Sequence, residues 1–167
     1  MSDDPLHTYL EDHLAGAASA MDLLEHLRDQ HRGRPLGVFA SEMLAEIEQD
    51  HTTLEGFARR VADGPHPLKD AAAKLAEKIT RVKLSSRTSG PLGVLESLEF
   101  LALGVWGKRS LWRALQATSD RDPRMAALDL ERLIARAESQ YERIEERRLE
   151  AAAEILAVSP AGSSRSS

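Results

Sequence analysis

A chain of 167 residues, 42% of them hydrophobic, is long enough to bury one sizeable core and carries no sign of a second. Its formal charge of −5, with acids and bases interspersed, leaves no broad electropositive surface for nucleic acid, and the absence of cysteine excludes disulfides, thiolate nucleophiles, zinc–thiolate sites and iron–sulfur clusters. No run of about 18 apolar residues occurs, and MSDDPLHTYL lacks a basic stretch ahead of an apolar one, so the expectation is a cytoplasmic protein with neither membrane nor nucleic-acid partners.

Asp4-Pro5 places an N-cap carboxylate before a proline at the first helical position, and apolar periodicity then predicts a first helix to about Leu27. Gly33 and Pro35 break it, and a second helix follows from about Leu36 to Val61. After the Gly-Pro-His-Pro turn at 64–67, LKDAAAKLAEKITRVKL predicts a shorter crossover helix. Pro91 opens a third long helix to about Ala117, and Asp122-Pro123 repeats the first opening for a fourth helix reaching about Val158. Residues 1–158 thus read as one helical-bundle domain, and SPAGSSRSS, essentially residues 159–167, as a disordered tail.

Helix phase, about 100° per residue, sorts each helix into faces. The inward stripe of the first helix is Leu6, Leu10, His13, Ala17, Ala20, Leu24 and Leu27; that of the second is Ala40, Met43, Ile47, Asp50, Leu54, Phe57 and Val61. The third gives Val94, Leu98, Leu101, Val105, Lys108, Trp112 and Leu115. The fourth turns in Leu130, Leu133, Ile134, Ala137, Gln140, Tyr141, Ile144, Ala151 and Ile155. His13, Asp50 and Lys108 are the polar members of the first three stripes and fall at similar heights in a crossover bundle. An unpaired charge at such a position is costly, so the expectation is a structural polar layer of His13, Asp50 and Lys108.

Glu48-x-x-His51, within AEIEQDHTTL, is the one step with metal-ligand spacing. The helix lengths, their order and the long central connection resemble the ferritin-like superfamily, which implies an all-α four-helix bundle with a crossover between the second and third helices. The segments TYLEDHLAGA and LGVWGKRSLWRAL also resemble a group of bacterial helical proteins without established activity. The ferritin-like resemblance would imply a carboxylate site for iron or manganese, built from two Glu-x-x-His steps. Here no histidine follows His66, Glu138 is followed at the third position by Tyr141, and the third helix offers the cation Lys108 where hard anionic oxygens are wanted. Glu48 also points about 100° away from the apolar seam. Only an atypical, degenerate set remains as candidate metal ligands: Glu11, Glu48, His51 and Glu138.

LGVLESLEFLALGVWG is apolar on nearly every face, and Leu92, Leu95, Phe100, Leu103 and Trp106 lie away from the third helix's main stripe. Either the crossover helix covers this second face or a partner does. No phosphate loop or nucleophile elbow appears, so no catalytic residue is assigned. The reading is a non-catalytic ferritin-like bundle, with no predicted cofactor, acting through a homodimer or a protein partner. The alternative is a metal-binding or redox member using the atypical set.

Overall fold

The computed structural model describes residues 4–62 and 90–157; the crossover helix expected over 68–84 and the tail expected over 159–167 lie outside the described residues. The described residues form four long α-helices, α1 (Pro5–Gln30), α2 (Pro35–Val61), α3 (Pro91–Gln116) and α4 (Leu130–Leu156), with a 3-10 helix at Pro123–Ala127 and no strand among them.

Side-chain caps start α1, the 3-10 helix and α4, whereas α2 and α3 open on Pro35 and Pro91 without one. Asp4 Oδ1 accepts from the Leu6 N–H at 3.0 Å, satisfying one of the amides that a helix N-terminus leaves unpaired, while its other oxygen takes Arg124 Nη1 at 3.0 Å and ties α1 to the 3-10 helix. The Arg124 guanidinium holds the Asp4 carboxyl below its usual range. Asp122 caps the 3-10 helix through the Arg124 N–H, and Asp129 caps α4 through the Arg132 N–H at 3.1 Å. This corrects the expected start of the fourth helix. Asp122-Pro123 opens only the 3-10 turn, and Leu128 leaves helical geometry before Asp129 starts α4 anew. Between α1 and α2 the chain reverses through Gly33 at φ 77°, and Gly37 lies so close to the preceding turn that a Cβ there would strike the His31 carbonyl.

The hairpin of α1 and α2 packs beside the hairpin of α3 and α4, with α1 also against α3. Two apolar clusters stack along the bundle. One joins Leu24, Met43, Leu101 and Ile144, the other Leu10, Phe57, Trp112 and Ala137. Along α2 and along α3 the chain passes through these clusters in the same order, so the two helices run parallel. The start of α3 accordingly sits beside the α1–α2 turn, where Pro91 and Val94 share a cleft with Leu27 and His31. All seven residues of the predicted α2 stripe are buried, Asp50 among them. No helix among the described residues is long and apolar enough to cross a membrane.

The second face of α3 is narrower than the sequence suggests. Leu95 is buried and Phe100 packs against the cluster that holds Leu101 and Ile144, while Leu92, Leu103 and Trp106 remain exposed. Contact with both α1 and α4 widens the buried arc of α3 beyond a single seam and takes in these two side chains.

Candidate functional site

Halfway along the bundle, between the two apolar clusters, the helices present polar side chains to one another. Lys108 Nζ donates to Asp50 Oδ2 at 2.5 Å and to Gln140 Oε1, so one lysine on α3 joins α2 to α4. Gln140, wholly buried, returns its amide to Asp50 Oδ2 and to Glu46 Oε2, both at 3.1 Å. Glu46 Oε2 also takes Arg143 Nη2 at 2.6 Å. Arg136 donates to the Glu46 backbone carbonyl at 2.8 Å and brings Nε to 3.3 Å from Asp50 Oδ1, an ion-pair distance without hydrogen-bond geometry. Oδ1 is therefore compensated by charge rather than by a hydrogen bond.

Electrostatics follow from this arrangement. Burial pulls the Lys108 ammonium below its ordinary value, and the charge and hydrogen bond of Asp50 oppose that pull. Burial alone would raise the Glu46 carboxyl; the hydrogen bonds from Arg143 and Gln140, with the charges of Arg143 and Arg136, outweigh it and hold Glu46 below the usual carboxylate range.

On the opposite side of the Asp50–Lys108 pair lies a cavity of about 200 Å³ between α1, α2 and α3. From α1 come Asp12, His13, Gly16, Ala17 and Ala20; from α2, Ile47, Asp50, His51 and Leu54; from α3, Gly104, Val105, Gly107, Lys108, Leu111 and Trp112. Its wall is mainly apolar, with a polar floor. A Cβ added at Gly16, Gly104 or Gly107 meets nothing from its surroundings within 4 Å, so these glycines, unlike Gly37, are not required by close approach. Each costs its helix about 0.5–1 kcal/mol relative to alanine. Trp112 is fully buried in this wall, and its Nε1–H has no acceptor among the described residues.

Asp50 and Lys108 of the expected layer meet. His13 lines the same cavity without a hydrogen bond to either, its ring edge-on to Tyr9 at 4.8 Å between centroids. Burial holds the His13 imidazole below its ordinary value, against the nearby Asp12 charge. Glu46, Arg136 and Arg143 completed the cluster from outside the predicted stripes. The spacing that could have found them is Glu46 to Asp50, four apart, facing Arg136, Gln140 and Arg143 at steps of four and three on α4.

The candidate metal ligands are not brought together. Glu48 is exposed, Glu138 pairs with Arg109 at 2.7 Å, Glu11 lies 3.7 Å from His7, and His51 faces the cavity. Among the described residues no group of three or more histidines and carboxylates is placed to hold a metal ion. Comparison of the chain with protein-family models, with curated proteins and with solved structures finds no match.

Proposed function

We propose that this chain is a non-catalytic, ferritin-like helical bundle that takes a compact, mainly apolar small molecule into the cavity between α1, α2 and α3. The parallel course of α2 and α3 supports the ferritin-like part of the reading. The observation that carries the binding part is the set of helix-interior glycines, Gly16, Gly104 and Gly107, which weaken two helices while leaving open space around one cavity. Ligand pockets of this kind combine apolar walls with a few placed polar groups, here Asp12, Asp50, Lys108 and the two imidazoles.

Trp112 supplies the test. The chain has two tryptophans, and Trp106→Phe leaves Trp112 as the sole indole reporter in the cavity wall. Titration of that variant with benzyl alcohol, benzamide and benzoate should move the Trp112 indole N–H resonance saturably for at least one probe. Resonances unmoved by all three would contradict the reading.

A second reading is favoured by the surface of α3, where Leu103 is 69% and Trp106 48% exposed. Large exposed apolar side chains on one helix suit a homodimer or a protein partner. Sedimentation of the full chain tests the homodimer: a monomer at micromolar concentration counts against it.

A further inference from the structure

We propose that two copies of this chain pair through the exposed face of α3, the helices antiparallel about a two-fold axis that passes between Leu103 and Trp106. This rests on the homodimer reading above and adds the surface, its symmetry and its register.

Six exposed or rim residues define that face: Glu96, Glu99, Leu103, Trp106, Ser110 and Arg113 follow one another along α3 at steps of three and four. Such spacing averages 3.5 residues and keeps them in one line along the helix, the repeat by which two helices pack side by side. The line carries acids toward its N-terminal end, two large apolar side chains in the middle and a base at its C-terminal end. Turned end for end, it matches itself. Leu103 falls opposite the partner's Trp106, Glu99 opposite the partner's Ser110 and Glu96 opposite the partner's Arg113. An isologous contact requires this self-complementarity, whereas binding to a different protein does not. Parallel pairing would set acid on acid and base on base, which is unfavourable. Arg113 makes no ion pair among the described residues, so its charge is available to the partner's acids.

The middle of the line also has the shape to receive a side chain. Beside it, between α3 and α4, lies an open cleft of about 350 Å³ whose α3 wall is Glu99, Ala102, Leu103 and Trp106. These stand at i, i+3, i+4 and i+7, the four positions that form a hole for a residue of a facing helix. In the antiparallel register that residue is the partner's Trp106. On the α4 wall, Arg148 and Glu145 hydrogen-bond each other at 2.6 and 2.7 Å, so that pair brings no net charge to the cleft. Trp106 is already held in place: its ring lies 5.3 Å from that of Tyr141 and 4.7 Å from the Arg109 guanidinium, which is itself paired with Glu138. A side chain ordered beforehand loses little freedom on association.

The chain has no cysteine, so introduced ones report the register. A mixture of the Glu99→Cys and Ser110→Cys proteins should form an interchain disulfide on oxidation at least tenfold faster than either protein alone. Like positions of the two copies lie about 16 Å apart along the axis in this register, beyond the roughly 7 Å that a disulfide spans between Cα atoms. Arg113→Glu should raise the dimer dissociation constant, read by sedimentation of the full chain, at least tenfold. A dimer whose single-cysteine proteins cross-link equally well with themselves, or one unaffected by Arg113→Glu, would overturn this interface and leave the homodimer standing. A full chain that stays monomeric at micromolar concentration would overturn both.

Discussion

The Asp50–Lys108 pair divides the middle of the bundle into two sides that treat polar groups differently. Toward α4, Glu46, Asp50, Arg136, Gln140 and Arg143 engage one another. Toward α1 and α3, His13 and His51 line a cavity without a hydrogen-bond partner among the described residues, beside glycines that leave space unfilled. Side chains on the first side fix the register of α2 against α3 and α4. On the proposed reading, those on the second serve a ligand.

The sharpest way to break the comparison is to remove one member of the shared pair. Asp50→Leu strands the Lys108 ammonium and should cost about 3–5 kcal/mol, read by urea unfolding, whereas Asp50→Leu/Lys108→Met should recover most of that loss. A double variant as unstable as the single one would mean that the Arg136 and Gln140 contacts, not the buried charge, dominate. Glu46→Ala acts on the interlocked side alone. It removes the acceptor of Gln140 and Arg143 at a partly exposed site and should cost about 1 kcal/mol, with probe binding in the cavity unchanged.

Protonation probes the other side. The folded-state value of His13 lies below its ordinary 6.5, so the folded protein binds fewer protons than the unfolded chain in that interval. Its contribution to stability is full above 6.5 and is lost as pH falls through that value toward the lowered one. His13→Phe should flatten this part of the stability–pH profile; a profile unchanged by the substitution would show that His13 is not held neutral by burial. The smallest expected effect concerns the surface of α3. Leu103→Ser should change unfolding stability by less than about 0.5 kcal/mol, and a concentration-dependent drop in melting temperature would instead favour the homodimer.

Much of this was legible in the sequence because buried seams repeat with helical phase. The α2 stripe from Ala40 to Val61 appears intact, and Asp50 and Lys108 stand out as polar residues on apolar faces that find each other. Gln140 lay in the predicted inward set, yet its bridging role did not, because phase gives a direction and not a partner. Glu46, Arg136 and Arg143 escaped for a related reason: long side chains on helix flanks reach inward from positions that phase assigns to the surface. His13 was expected to join Asp50, and the glycines explain why proximity in height was insufficient. Gly16, Gly104 and Gly107 leave space at that level instead of packing it. Asp122-Pro123 misled through chemistry that is real but local, since the same cap that starts α1 starts only a 3-10 turn there.

The central claim is that helix stability is given up at Gly104 and Gly107 to keep a binding cavity open. Its most direct test is Gly104→Ala/Gly107→Ala in the Trp106→Phe protein, measured by urea unfolding and by benzyl alcohol titration of the Trp112 resonance. The account predicts a protein more stable by about 1–2 kcal/mol that binds benzyl alcohol at least tenfold more weakly. A variant that is less stable, or that binds benzyl alcohol as well as its parent, would contradict it.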